Sequence, residues 1–363
     1  MKIKIIRVVQ VFLILGIIVC SLGLLTCKIF NKFLEENYNV DDKIIVRSYF
    51  GEDQNLINKD YVDVPVSNDS SNSLENNDNL SSSIVDIKNM AFSRNKVEVV
   101  NSSYNIPDSI KDLILQDINS YYDKSSFYFI DLIDGTGIVY NIDGISQSAS
   151  IIKASYCLYL YKALSIGNIN FDEHLTYTSN FYSSGSGILK NDDVNSEYSV
   201  RELVYDTIVY SDNIAYKMLH HRFGVLEYNK MLDELGVKQM HLSYVNPWGL
   251  ITLRDMALIW QEIYNFALQS SFGEEYLNLL SSNAYNYFSS TIPNYNSATK
   301  EGFTKDVTNS SGILFGYHPY LLLVSAKSYY DGSSYYQVKK ELRTIGMLVN
   351  DYEQCMLNKD SVK

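Results

Sequence analysis

One stretch, residues 147–164, constrains the fold of this chain more strongly than any other. It is mostly apolar, and Lys153 is the only charged residue in its first half. An apolar run of this length predicts a long helix, and a helix that is apolar over most of its circumference belongs inside a core. The rest of the chain must bury this helix, and 363 residues allow one sizeable domain with appendages.

The first turn of this predicted helix pairs a hydroxyl with an amine. Ser150 opens the helix and Lys153 follows three residues later, so the two side chains share one face about one turn apart. Burial disfavours the ammonium form, and a neutral lysine can act as the base that activates a serine. The alternative is a lysine at a core edge whose amine reaches solvent. Residues 297–300 form a second Ser-x-x-Lys, which we do not interpret as a nucleophile.

Two further motifs favour the functional interpretation of Ser150 and Lys153. Ser-Asp-Asn stands at 211–213, and Lys-Glu-Gly follows at 300–302. In this order Ser-x-x-Lys, Ser-Asp-Asn and Lys-Thr-Gly are the signatures of class A β-lactamases and penicillin-binding proteins, and the chain resembles that family. The resemblance extends to the segments between the motifs and covers about residues 100–355, with matches at 185–189, 198–203 and 252–257.

The pattern of elements predicts an α+β fold. A helix and a hairpin come first, several helices follow, and strands with a closing helix end the chain. This agrees with the fold that the resemblance implies, an antiparallel sheet flanked by N- and C-terminal helices plus an all-helical lobe, with the site between them. The predicted helices are 107–122, 150–164, 199–210, 214–223, 252–266 and 335–357, and the predicted strands are 127–133, 138–142, 297–304, 311–316 and 320–325.

Residues 1–30 are predicted to form a transmembrane anchor. Three basic residues precede an uncharged apolar run at 8–27 that is long enough to span a bilayer, and this arrangement predicts an N-terminus inside and the rest outside. A cleaved signal peptide and a lipoprotein signal ending at Cys27 are the alternatives. Residues 31–100 are predicted to be a polar, largely disordered linker, and residues 101–357 the catalytic domain. We therefore expect a single-pass protein of the cell membrane with an extracytoplasmic catalytic domain.

Charge and composition exclude several other functions. The net charge is −12, and because Lys2, Lys4 and Arg7 contribute +3, the remainder carries −15. An acidic exterior argues against nucleic acid as a partner. The four cysteines and five histidines show no disulfide framework or ligand spacing, so we expect no metal and no cofactor. The oligomeric state is not indicated by the sequence.

The resemblance implies roles for the first two motifs. Ser150 would attack a carbonyl carbon and become acylated, and Lys153 would take its proton. Ser211 would pass a proton to the departing nitrogen, while Asn213 would bind the substrate amide and help to hold Lys153. The alternative for Ser211 and Asn213 is local turn chemistry, which favours the same residue types between helices; we interpret Asp212 as mainly structural.

The resemblance also implies roles around the third motif. Lys300 would attract a substrate carboxylate, although a solvated strand lysine is the alternative. Gly302 would let substrate lie beside the strand, and the amides of Ser150 and Phe303 would form an oxyanion hole. Glu301 stands where the family has a hydroxyl that binds the substrate carboxylate, so it would repel that group, turn to solvent, or favour a substrate of different charge.

The segment 238–249 departs from the family pattern. It is shorter than the omega loop of class A enzymes, and it contains no glutamate, whereas those enzymes use a glutamate from that loop to activate the deacylating water. We therefore expect acylation at Ser150 by β-lactams or D-Ala-D-Ala-like cell-wall peptides, followed by slow hydrolysis. The alternatives are a binding or sensor module of the same fold and an esterase or amidase that uses the same serine and lysine.

Overall fold

The structure of the chain, a computed structural model, describes residues 97–100, 108–109, 112, 116, 125–327 and 333–360. The helices fully contained in these ranges are α1 (Ile152–Ser165), α2 (Val200–Val209), α3 (Asn213–Phe223), α4 (Leu226–Leu235), α5 (Leu253–Gln269), α6 (Ser271–Ser281), α7 (Tyr287–Thr291) and α8 (Ser333–Asp360). The strands are β1 (Val97–Val100), β2 (Ser125–Asp131), β3 (Gly137–Tyr140), β4 (Ser146–Gln147), β5 (His174–Thr176), β6 (Glu197–Ser199), β7 (Leu250–Ile251), β8 (Asn296–Phe303), β9 (Val307–Phe315) and β10 (Pro319–Lys327).

Six of the strands form one antiparallel sheet in the order β1-β3-β2-β10-β9-β8. The central strand β10 places Leu322 opposite Phe129 of β2 and Gly312 of β9. Almost every residue of β9 and β10 is buried, so both faces of the sheet are covered. On one face α7 and α8 pack against the sheet through a shared apolar core that includes Phe127, Tyr320, Leu322, Val338, Leu342 and Leu348.

The helix α1 lies at the centre of the helical lobe, with α2, α4, α5 and α6 around it. Ten of its fourteen residues are buried, which explains why its sequence is apolar on nearly every side. Buried tyrosines pack around it and find partners for their hydroxyls. Tyr276 donates to the Ala154 carbonyl at 2.5 Å, and Tyr228 donates to Ser155 Oγ at 3.1 Å.

The predicted α+β fold is confirmed, with an antiparallel sheet, a C-terminal helix and a helical lobe. Of the predicted first helix, Asp108, Ser109, Asp112 and Gln116 are described and are helical. Val97–Val100, which the sequence assigns to the end of the linker, form β1 and pair with β3. None of the described helices is long and apolar enough to cross a membrane, and the predicted anchor lies outside the described residues.

A buried carboxylate joins the sheet to α8 and makes stability depend on pH. Asp131 accepts hydrogen bonds from His318 Nδ1 at 2.7 Å and from the Tyr352 hydroxyl at 3.0 Å. The hydrogen bond that His318 donates to Asp131 raises the pKa of His318 above its ordinary value. The contribution of protonated His318 to the free energy of unfolding is therefore complete below the unfolded-state histidine pKa of about 6.5. This contribution is lost as the pH rises through the higher folded-state pKa of His318.

We expect His318→Gln to lower the free energy of unfolding by about 1–3 kcal/mol at pH 6 and by less at pH 9. Urea unfolding at several pH values measures this difference. The control is His174→Gln, because His174 is exposed and its Nδ1 lies 3.0 Å from the Asp172 carbonyl and not beside a buried carboxylate. Equal effects of His318→Gln at both pH values would contradict the coupling.

Candidate active site

The short segment before α1 fixes the position of Ser150. The amide of Ser148 donates to the Gly249 carbonyl at 3.0 Å, and Asn309 Nδ2 donates to the Ser148 carbonyl at 3.1 Å. Ala149 then adopts a φ of 45°, and Ser150 follows in a 3₁₀ turn, Ala149–Ile151. A non-glycine residue in the left-handed region costs roughly 1–2 kcal/mol, and such strain is typical of functional sites.

Lys153 is completely buried, and its amine lies within hydrogen-bond distance of four oxygens. Nζ is 2.6 Å from the Ser211 carbonyl oxygen and 2.8 Å from Asn213 Oδ1, and it is 3.1 Å from Ser150 Oγ and 3.3 Å from Ser211 Oγ. The first two oxygens can only accept hydrogen bonds. If they take the two N–H bonds of a neutral amine, the lone pair is left for the hydroxyls of Ser150 and Ser211.

The surroundings of Lys153 favour this neutral form. Burial lowers the pKa of Lys153 well below its usual range, and the nearby charge of Lys300 lowers it further. The faces of Trp248 and Tyr216 lie 5.3 and 5.8 Å from Nζ and replace water around the amine. Lys153 is therefore within reach of Ser150 and in the neutral form that accepts its proton.

The second motif connects α2 to α3 and is held by Asp212. Its Oδ1 accepts the amides two and three residues along the chain at 2.8 and 3.0 Å, and its Oδ2 accepts the amides of Ile188 and Leu189 at 2.6 and 2.8 Å. All four contacts are structural, as the sequence predicts for Asp212. Ser211 has a φ of 52°, so it is a second strained residue beside the amine of Lys153.

The third motif lies on β8, directly beside Ser150. A Cβ atom at Gly302 would lie 2.5 Å from the Ser150 nitrogen and 2.8 Å from the Ile151 nitrogen, so only glycine lets the strand approach the 3₁₀ turn this closely. Lys300 is fully buried, and its Nζ has no hydrogen-bond partner among the described residues. The alternative of a solvated strand lysine is therefore wrong. The side chain of Phe303 is exposed at the edge of the cleft.

Glu301 is enclosed by protein groups. Its Oε1 accepts the Tyr287 amide at 3.0 Å and the Ser310 hydroxyl at 3.4 Å, and its Oε2 accepts the Asn283 amide and the Thr299 hydroxyl. Burial raises the pKa of Glu301, against the opposing effects of the Tyr287 amide and Lys300. Of the three alternatives for Glu301, the one in which it turns to solvent is therefore wrong. The residue lines a small pocket beside Ser150, but its carboxylate oxygens are occupied by protein donors.

Ser150 opens into a cleft of about 960 Å³ between the sheet and the helical lobe. No Asp, Glu, Lys or Arg of the described chain lines it. One wall comes from the segment 238–249, which contains no glutamate. The lining residues are Gln147, Ser148, Ala149, Ser150, Gly185, Ser186, Asn213, Gln239, His241, Asn246, Trp248, Gly249, Leu250, Tyr285, Phe303 and Thr304.

Of the predicted site residues, the structure brings Ser150, Lys153, Ser211 and Asn213 into one hydrogen-bonded group, with Gly302 against its edge. Sequence reasoning missed Trp248, Tyr216 and Tyr285. Trp248 is one of only two tryptophans and follows an Asn-Pro pair. Its rarity and this position were the sequence features that marked it as a candidate site residue. The other two were hidden among thirty-one tyrosines.

An activated serine, a buried amine and this α+β fold define a serine hydrolase. The model of the beta-lactamase enzyme family matches residues 106–352, and the chain belongs to that family. The resemblance to class A β-lactamases and penicillin-binding proteins is thus confirmed.

Several solved structures share the fold. A mutant of PBP-A, an acyl-enzyme complex with penicillin G, is 21% identical with a TM-score of 0.61, over 67% of this chain and 97% of that chain. A β-lactamase from Sphaerobacter thermophilus is 18% identical with a TM-score of 0.59, over 66% and 95%. An ancestral class A β-lactamase is 17% identical with a TM-score of 0.57, over 65% and 98%. No curated protein matches the chain.

Proposed function

We propose that the chain forms an acyl-enzyme at Ser150 with β-lactams or D-Ala-D-Ala-like cell-wall peptides. The hydrogen bonding of Lys153 carries this proposal, because two acceptor-only oxygens occupy its N–H bonds and leave its lone pair to Ser150 at 3.1 Å. As Ser150 Oγ bonds to the carbonyl carbon, its proton moves to Lys153 Nζ.

The collapse of the tetrahedral intermediate needs a proton on the departing nitrogen. Ser211 Oγ lies 3.3 Å from Lys153 Nζ, so Ser211 gives its proton to the nitrogen and recovers one from Lys153. The C–N bond breaks, the acyl group stays on Ser150, and Lys153 is neutral again. Asn213 binds the substrate amide, Lys300 supplies positive charge behind the site, and the amides of Ser150 and Phe303 stabilise the oxyanion.

Hydrolysis of the acyl group is proposed to be slow. A deacylating water needs a base, and no carboxylate of the described chain lines the main cleft. Glu301 lines the small pocket beside Ser150, but its oxygens already accept hydrogen bonds from protein donors. The same observation favours the second candidate, a binding or sensor module that does not turn over its ligand.

We further propose the domain organisation given by the sequence. Residues 1–30 anchor the chain in the cell membrane, the linker predicted at 31–100 extends from it as far as β1, and the catalytic domain is extracytoplasmic. The basic residues before the apolar run at 8–27 support this orientation.

A fluorescent penicillin tests the acyl-enzyme directly on the full chain in detergent. We expect stable labelling of the wild type at Ser150 and complete loss of the label in Ser150→Ala. Ser297→Ala is the matched control, because it removes the serine of the other Ser-x-x-Lys and should keep labelling within twofold. Labelling that persists in Ser150→Ala would contradict the proposal, and rapid release from the wild type would contradict slow hydrolysis.

The sensor candidate predicts a different result. Cell-wall peptide fragments would still bind Ser150→Ala with the wild-type dissociation constant, whereas turnover that depends on Ser150 would exclude this candidate. Isothermal titration calorimetry of both proteins with the same fragment measures the difference.

A further inference from the structure

The described residues that line the cleft include no lysine or arginine. Among these sixteen described residues His241 is the only basic one, and its Nε2 is hydrogen-bonded to Asp233 Oδ1 at 2.8 Å. Strong carboxylate sites use charged donors such as arginine or lysine in direct contact. The cleft offers a carboxylate only neutral amides, hydroxyls and backbone groups.

The two lysines nearest to Ser150 lie behind the wall of the cleft. Lys153 and Lys300 are both fully buried, and neither lines the cleft. Burial lowers the pKa of both amines, so they lose their positive charge at a lower pH than a solvated lysine does.

Burial raises the pKa of Glu301 to about 7, so Glu301 adds its full negative charge at the same place above neutral pH. Its neighbour Lys300 offsets this charge, but all four hydrogen-bond donors to the Glu301 carboxylate are neutral groups. Glu301 also lines the small pocket that contains Ser150, Ser211 and Phe303. A second carboxylate bound there would be repelled at short range and in a medium of low dielectric.

We propose that the cleft selects acyl donors whose leaving group carries no carboxylate, and that Glu301 determines this specificity. The proposal rests on the proposed acylation of Ser150 and states which of its substrates react fastest, namely β-lactams or peptides in which this carboxylate is esterified, amidated or absent. Penicillin G and D-Ala-D-Ala peptides, which carry the free acid, also acylate Ser150 but more slowly. Glu301 disfavours these acids in two ways: its charge repels them, and it occupies hydroxyl donors, such as Ser310, that would otherwise bind them.

Penicillin G and its methyl ester form a matched pair of probes. The acylation rate constant of the full chain in detergent is measured for each by mass spectrometry of the Ser150 adduct. We expect the neutral ester to acylate the wild type at least tenfold faster than the acid. This comparison needs no substitution, so it does not depend on the folding of any variant.

Two variants then test whether Glu301 causes the preference for the ester over the acid. Glu301→Thr provides a hydroxyl in place of the carboxylate, and Glu301→Gln removes the charge at constant shape. Both are expected to lower the ester-to-acid ratio tenfold or more through faster reaction of the acid. Glu234→Gln is the control, because Glu234 is an exposed carboxylate on α4 and its loss should leave the ratio unchanged.

The possible failures are distinguishable. If the acid reacts as fast as the ester with the wild type, the proposed specificity is wrong while acylation of Ser150 stands. An unchanged ratio in folded Glu301→Gln and Glu301→Thr overturns the role of Glu301. If neither probe forms an adduct with the wild type, both the specificity and the acylation of Ser150 are overturned.

Discussion

Lys153→Met is expected to slow the acylation of Ser150 by about 10²–10⁴-fold, the usual contribution of a general base. Methionine keeps an unbranched apolar side chain of similar length inside α1, but it has no lone pair basic enough to accept the Ser150 proton. The substitution leaves the Ser211 carbonyl and Asn213 Oδ1 without their donor, so a loss of stability of about 1–3 kcal/mol accompanies it. The rate of labelling by fluorescent penicillin, measured on protein shown to be folded, tests the expectation.

The pH dependence of the acylation rate distinguishes two roles for Lys153, a general base and a residue that only packs. Lys153 must be neutral to accept the proton, and its pKa is lowered by burial, so wild-type acylation should rise with pH in a range well below that of an ordinary lysine. Lys153→Met should lack this rise. Lys162→Met is the control, because Lys162 lies on the same helix but pairs with Glu262. A Lys153→Met rate within threefold of the wild type would exclude Lys153 as the base.

Gly302→Ala is expected to reduce acylation by about 10²–10³-fold, as the loss of an oxyanion-hole donor does. The added methyl group would lie 2.5 Å from the Ser150 nitrogen and 2.8 Å from the Ile151 nitrogen. Both are backbone atoms, so either β8 or the 3₁₀ turn must move and the Ser150 amide is displaced from the cleft.

Gly346→Ala is the control for this added methyl group. Its Cβ would contact only the Ile292 side chain, at 3.1–3.4 Å, on the side of the sheet that α8 covers. Labelling should stay within twofold of the wild type there. If Gly302→Ala also labels at the wild-type rate, the close approach of β8 to Ser150 has no role in acylation.

Several elements were predictable because local chemistry determines them. The capping box of Ser199 and Glu202 starts α2, and both of its hydrogen bonds are present. Gly224 ends α3 with a φ of 67°, as the sequence predicts. The one-turn separation of Ser150 and Lys153 likewise follows from helical spacing alone.

Other elements were missed because tertiary contacts determine them. The strand β9 begins at Val307, four residues earlier than predicted, since its buried polar side chains resemble a loop in the sequence. Thr308 bonds to Ser334, and Ser311 donates to the Lys300 carbonyl. The helices α4, α6 and α7 were also missed. The enclosure of Glu301 depends on Asn283 and Tyr287 near α6 and α7, so its orientation could not be predicted without them.

The hydrogen bonds of Lys153 have a consequence for folding kinetics. Lys153 bonds to Ser211 and Asn213, which lie 58 and 60 residues away along the chain, and Gly302 approaches Ser150 from about 150 residues away. Contacts between distant parts of a chain form late, because the entropy of closing long loops is lost before the contacts form. Recovery of penicillin labelling during refolding should therefore lag behind the recovery of helical circular dichroism. The labelling reports the formation of these distant contacts, which is the last step of folding.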